Sequence, residues 1–269
     1  MAYPMEYGYS LVGEVVDCGH GVPVELVGKL AFAFHSHASH AVLPYDQLMM
    51  VPDGIPASDA VYLPAVETAL SIVHDAHPRY GETVAVFGQG VIGLLVTAVL
   101  ARSGIDVACF DFIPDRLTLA KQVGAASTGR KPPRGASYDV TVEVTGSPRA
   151  LQSAIDCTKE GGRLVIASWY GASDVSLKLG TAFHRSHMEI VASQVSRIPA
   201  TLSMRWDKGR RFDVAWELLR AIRPSTTLTT TRVGLHRAGE AFELLVAGKT
   251  VVTEIVYDDA NELSAPSKL

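Results

Sequence analysis

At 269 residues, 48% of them hydrophobic and 19% charged, the chain can fill one large or two modest cores, which excludes intrinsic disorder. A formal net charge of −4 and a pI near 6.1 argue against a nucleic-acid or membrane-surface partner. Three scattered cysteines, Cys18, Cys109 and Cys157, make no C-x-x-C pair, so neither a zinc knuckle nor a disulfide framework is expected, and the compartment reads as reducing and cytoplasmic.

The polar, tyrosine-rich start, Met1 to Ser10, is not a signal peptide. Ser10 to Val16 is a β-type run ending in the turn cluster Asp17-Cys18-Gly19-His20-Gly21. Leu26 to Phe34 reads as a second strand, which Ala41 to Leu43 continue after His35-Ser36-His37-Ala38-Ser39-His40. On a regular strand His35 and His37 share a face while His40 points away, so a three-histidine metal site would need a bulge. A substrate-pocket role for one of them, His35 first, stands beside surface or core histidines. Ser58 is a candidate N-cap for a helix toward Leu63, and Ala65 to Asp75 reads as helix before Pro78-Arg79-Tyr80-Gly81.

Thr83 to Phe87 is an apolar strand that enters Gly88-Gln89-Gly90-Val91-Ile92-Gly93, and Leu94 to Ser103 follows as a helix of roughly three turns. In a dinucleotide site Gly88 makes the sharp turn and Gly90 lets backbone approach a pyrophosphate. Gly93 lets the helix pack on the strand, and the N–H groups of the first turn, at Val91 and Ile92, face the phosphate charge. The competing reading is a buried turn with chance glycines. The apolar segment Val84 to Ala101 holds three glycines and a glutamine and reads as strand, turn and helix instead of a membrane span.

Asp106 to Phe110 is the next strand and ends in Asp111, about twenty residues past the glycines, where an acid accepts ribose hydroxyls. Such a carboxylate repels a 2′-phosphate, favouring NAD over NADP, although Arg116 offers a cation on the adenosine side. Asp115 to Gln122 is helical, Tyr138 to Val144 a strand, Pro148 to Cys157 a helix and Leu164 to Ala167 a strand. Met188 to Ser193 adds a further strand. Alternation at this spacing predicts an α/β, doubly wound parallel sheet of Rossmann type. The basic cluster Arg205, Lys208, Arg210 and Arg211, with Trp206 and Phe212, reads as a solvated helix start. Phe212 to Ile222 is amphipathic, and a strand near Leu228 to Val233, a helix Arg237 to Val246 and a strand Val251 to Tyr257 close the chain.

Several pieces together resemble the medium-chain dehydrogenase/reductase superfamily of alcohol dehydrogenases and quinone reductases. They are Gly13-Glu14-Val15-Val16, Glu67-Thr68-Ala69-Leu70, Gly81-Glu82 before the glycine turn, and Asp111 with Arg116-Leu117, Ala120 and Gly124-Ala125. Thr145-Gly146, Gly161-Gly162-Arg163 and the terminal Ala241-Phe242-Glu243-Leu244-Leu245 with Gly248-Lys249 complete the set. The chain is most similar to the compact branch that includes bacteriochlorophyllide-type dehydrogenases.

The resemblance implies a partial, β-rich GroES-like catalytic lobe at 1–67, a Rossmann domain at 68–196 and the rest of the lobe at 197–269, with hydride transfer in the cleft between lobes. It implies that Thr68 lies against the nicotinamide, unless its hydroxyl only bonds back within its helix. Ile166, Ala167 and Ser168 line the nicotinamide pocket with Val191 and Ser193 opposite, and Thr145 closes over the cofactor. His184 and His187 flank a loop near the cofactor edge. A homodimer would join through the Rossmann edge strand near Met188 to Ser193.

The departures from the family also carry meaning. Its glycine-histidine-glutamate zinc motif reads Gly8-Tyr9-Ser10 here, its third ligand position is Pro64, and the four-cysteine lobe is missing between His35 and Ala41. Its first zinc cysteine belongs upstream of this chain. Tyrosine, serine and proline make no N/S zinc site, so no metal is expected. Tyr9 is then either a proton donor to a carbonyl or a buried tyrosine filling the zinc space. The expected function is zinc-independent, NAD(H)-dependent oxidation or reduction of an alcohol/carbonyl or activated alkene substrate. The alternative is a dinucleotide-binding sensor without turnover. The shortened front predicts either a truncated variant or a sequence continuing upstream of Met1.

Overall fold

In the computed structural model, residues 6–172 and 174–257 are described; the outer ends of the expected catalytic lobe lie beyond them. Of these residues, those up to Val61 and those from Pro224 form one compact unit, and Tyr62–Arg223 form another.

The first unit opens on β1 (Leu11–Glu14), antiparallel to β2 (Leu30–Ala33), which pairs with β3 (Met49–Met50). The strand expected over Leu26 to Phe34 is shorter, because Val24–Leu26 forms a 3-10 turn and Gly28 takes φ +82°. Ala41 to Leu43 do not continue it either. The His35 N–H donates back to the Ala33 carbonyl at 3.0 Å, which turns the chain out of the sheet. Helix α1 (Ala57–Ala60) is capped by extended Pro56, so Ser58 lies inside the helix and not at its N-cap.

The second unit begins with α2 (Leu63–Ala76) and carries the sheet. Its elements are β4 (Thr83–Phe87), α3 (Val91–Arg102), β5 (Asp106–Phe110), α4 (Pro114–Gln122), β6 (Ser127–Gly129), β7 (Tyr138–Glu143), α5 (Pro148–Cys157), β8 (Thr158–Ile166), α6 (Ala182–Arg185), β9 (Glu189–Ala192) and α7 (Lys208–Ile222). Among the described residues six strands, all parallel, stand in the order β6-β5-β4-β7-β8-β9. The chain builds outward from β4 through β5 to β6, then returns to β7 and builds the other way. Strand order therefore reverses between β4 and β7, where an open α/β sheet binds its ligand. Apolar strand residues make this possible: Val84, Val86, Val107, Cys109, Val142, Leu164 and Val165 are fully buried, as strands covered on both faces require. Strand β9 is a sheet edge.

The chain then returns to the first unit, where β10 (Thr229–Gly234) and β11 (Val252–Val256) pair in parallel around α8 (Ala238–Val246). The unit boundaries differ from those read in the sequence mainly after residue 196. Residues 197–223 belong with the sheet, because α7 is tied to α2 by an ion pair.

That pair also corrects the reading of the basic cluster as solvated. Arg211 is 1% exposed and grips Glu67 Oε1 at 3.0 Å through Nε and 2.6 Å through Nη2. Its remaining N–H groups donate to the carbonyls of Val195 (2.5 Å) and Arg197 (3.3 Å). Arg210 lies over the Trp206 ring at 4.3 Å, and only the outer part of the cluster faces solvent. Among the described residues no helix is long and apolar enough to cross a membrane.

Candidate functional site

The three glycines after β4 stand in three different surroundings. Gly88 sits at φ +97°, and a Cβ there would meet Thr145 Cγ2 at 2.7 Å. Gly93, inside α3, packs so closely that a Cβ would fall 1.9 Å from the Gly88 carbonyl oxygen. Gly90 is the N-cap of α3, in extended conformation, and a Cβ on it would meet nothing within 4 Å. No side chain among the described residues caps this helix start, and Gly90, Val91 and Ile92 are each half-buried. An uncapped, accessible first turn leaves N–H groups for an anion, and the helix dipole adds to the attraction.

Asp111 follows β5 and does more than the sequence suggested. Its Oδ2 accepts from the Gln89 N–H at 2.7 Å and its Oδ1 from the Ile113 N–H at 2.9 Å. The acid thus clamps the glycine turn to the strand beside it and keeps spare lone pairs for hydroxyl donors. Arg116 Nη1 stands 3.9 Å from the same carboxylate. Gln89, fully buried, braces the turn from beneath, donating to the Val86 carbonyl (3.2 Å) and accepting from Thr97 (3.3 Å).

Across the strand reversal, the ends of β7, β8 and β9 bring the other expected residues together. Thr145 lies against the glycine turn through its Cγ2, and Gly146 N–H donates to Ser168 Oγ at 2.7 Å. The Ala167 N–H donates to the Glu143 carbonyl (3.0 Å), Val191 pairs with Val165, and the Ser193 N–H reaches the Ile166 carbonyl (2.9 Å). Ser193 Oγ also donates to Asp75 at the end of α2 at 2.6 Å. The sequence reading missed Glu143, a fully buried carboxylate at the last position of β7. The available signal was an acid ending a strand two residues before Thr145-Gly146.

Thr68, half-buried in α2, donates to the Pro64 carbonyl at 2.8 Å, the local helix bond that was its alternative reading. Its oxygen keeps lone pairs to accept with. Tyr9 and His35 lie in the first unit. Tyr9 is 67% exposed, which overturns the reading of a buried tyrosine filling a vacated metal space. His35 Nδ1 lies 2.8 Å from the Ser36 carbonyl, the His37 N–H donates to the Tyr7 carbonyl (2.9 Å), and His40 is exposed.

The positions matched to zinc ligands lie among these surroundings. Pro64 has no donor atom, Tyr9 is exposed phenol, and the buried acids are engaged: Asp59 by the Ser225 N–H, Glu67 by Arg211, Glu143 by its own turn. Among the described residues no three His, Cys, Asp or Glu side chains gather as a metal site. Burial pushes the Cys109 thiol up to about 11, so it stays a neutral thiol in the sheet core. Tyr9, Ser10 and Pro64, at the positions matched to zinc ligands, carry neither imidazole nor thiolate.

Residues 91–208 match the family model described as "Zinc-binding dehydrogenase". D-guloside 3-dehydrogenase of Escherichia coli K12 is 28% identical over 235 residues, covering 80% of this chain and 65% of that protein. The chain thus spans about two-thirds of the length of this curated relative. Among solved structures, a short chain alcohol dehydrogenase of E. coli CFT073 complexed with cofactor NADH superposes with a TM-score of 0.72. It is 19% identical, covering 89% of this chain and 79% of its own. A zinc-binding dehydrogenase described as putative, from Sinorhizobium meliloti 1021 and bound to NADP, gives 0.73 at 18% identity, covering 94% and 83%. These two likenesses show the fold.

Proposed function

We propose that this chain, which belongs to the medium-chain dehydrogenase/reductase superfamily, is an NAD(H)-linked oxidoreductase acting on an alcohol/carbonyl pair without catalytic zinc. The observation that carries the reading is the turn Gly88–Gly93, open before an uncapped helix start and clamped by Asp111 at the strand-order reversal. The nicotinamide would supply or accept the hydride. The backbone at Gly90, Val91 and Ile92 would hold the pyrophosphate, and Asp111 the adenosine ribose. Thr145, Ile166, Ala167, Ser168, Val191 and Ser193 would wall the nicotinamide half, with the Thr68 hydroxyl beside it. Tyr9 and His35 are the proposed proton-transfer groups. The relative named as a guloside dehydrogenase supports an alcohol substrate, and the solved structures holding NADH and NADP support a nicotinamide cofactor.

Asp111 makes NAD the proposed cofactor over NADP, because its carboxylate would face the extra phosphate of NADPH. Titration of the purified protein, read as reduced-nicotinamide fluorescence, is expected to show NADH binding below millimolar and NADPH binding more weakly. Asp111→Ala is expected to weaken NADH about tenfold and erase the preference. Equal affinity for both cofactors in the wild type, or a preference unchanged by Asp111→Ala, would refute the assignment.

A further inference from the structure

Glu143 stands at the centre of the ligand end of the sheet, in register with Phe87 at the end of β4 and Ile166 at the end of β8. Val140 and Val142 face the other side of the sheet, and its same-face neighbour Thr141, fully buried, is a neutral group satisfied by the Thr158 hydroxyl at 2.8 Å. At Glu143 a carboxylate is instead fully buried, and burying one is unfavourable unless donors surround it. They do. Oε1 accepts from the Thr145 N–H (2.6 Å), from the Thr145 hydroxyl and from the Gly146 N–H (3.2 Å). Oε2 accepts from the Tyr170 hydroxyl at 2.5 Å.

Those donors come from two different turns. Thr145 and Gly146 leave β7, and Tyr170 follows β8, so one side chain ties the two turns together. The link is doubled by backbone: Ala167 N–H and Ser168 Oγ both donate to the Glu143 carbonyl (3.0 and 3.4 Å), and Gly146 N–H donates to Ser168 Oγ. Trp169 stands between the anchored Ser168 and Tyr170, and it is 89% exposed. The segment therefore faces solvent while its flanks are fixed. A sheet of this kind binds a dinucleotide as two mononucleotide halves, one on each side of the strand reversal. The glycine turn and Asp111 belong to the β4–β6 half, and the Glu143 clasp belongs to the β7–β9 half.

We infer that Glu143 is a positioning residue for the nicotinamide half of the dinucleotide, fixing the turns after β7 and β8 as one preformed wall. The inference rests on the dinucleotide reading above. Its physical content is preorganisation: a wall ordered before binding leaves less ordering to be done by the ligand.

Calorimetric titrations with NADH and with ADP-ribose, which lacks the nicotinamide, separate positioning from general stability. Glu143→Ala is expected to weaken NADH about tenfold while ADP-ribose stays within about twofold. Glu143→Gln should keep NADH within about threefold, since its amide oxygen can accept from the two N–H groups and its NH2 can donate to Tyr170. Equal losses for both ligands in Glu143→Ala would reduce Glu143 to a structural residue and overturn the inference, as would no loss for either. If Glu143→Ala does not fold, Tyr170→Phe, which removes only the Oε2 donor, is read the same way. A selective loss of NADH affinity supports the clasp, and an equal loss or none overturns it. A wild type that binds neither ligand would defeat the dinucleotide reading itself. Binding of both, with no selective variant effect, would defeat only the role of Glu143.

Discussion

Arg211→Ala is expected to lower the melting temperature of the protein by roughly 10 °C. Arg211 is fully buried, and its guanidinium is the partner of Glu67 and the donor to the carbonyls of Val195 and Arg197. Removing it leaves a carboxylate and two carbonyls without their donor in a low-dielectric interior, a loss of about 3–5 kcal/mol. Thermal unfolding followed by circular dichroism measures it. The physical cause is distinguished by pairing the changes: Glu67→Leu with Arg211→Met removes both charges and should recover much of the stability lost by either alone. A single variant as stable as the wild type would show that water already reaches the pair.

Gly93→Ala is expected to abolish cofactor binding and to destabilise the sheet unit. The added methyl would sit 1.9 Å from the Gly88 carbonyl oxygen, 2.9 Å from its carbon and 3.1 Å from Val144 Cγ2. The first two are backbone atoms, which no rotamer change can move aside, so α3 must shift off the turn. Overpacking costs about 1–3 kcal/mol where side chains can yield, and here the obstacle is main chain. The shift also displaces the N–H groups of Val91 and Ile92 from the position an anion requires. Gly90→Ala makes the informative contrast, since its methyl enters open space and leaves the fold intact. Thermal unfolding should separate the two, while NADH titration should show losses in both. A Gly93→Ala protein that binds NADH like the wild type would contradict this account of the turn.

The sheet unit was largely legible because its signals are local. Strands five to six residues long, Gly88-Gln89-Gly90 and an acid at Asp111 each fall within one supersecondary unit. The helix Pro148–Cys157 is delimited by Pro148 at its start, and the structure reproduces it to the residue. What escaped depends on distant partners. Arg211 meets Glu67 from 144 residues away, so an arginine in a basic run looked solvated until α7 was seen against α2. Glu143 was hidden for a related reason: Tyr170 lies 27 residues on, beyond any helix or hairpin spacing. The histidine-bearing stretch failed as a strand because a single backbone turn at His35 outweighed the β-propensity of Ala41 to Leu43. Tyr9 was assigned by matching a position in a family, and position alone did not foretell its exposure.

Hydride transfer itself is tested most directly by incubating the protein, stripped of metal by a chelator, with NADH deuterated at C4. A panel of polyol-derived ketones and simple ketones would be offered, and deuterium in the alcohol product read by mass spectrometry. Label is expected in at least one product, at a rate that added zinc leaves unchanged. Transfer that vanishes on chelation and returns with zinc would contradict the metal-free site. NADH bound with no label moved to any acceptor would contradict the enzyme and leave a nucleotide-binding sensor in its place.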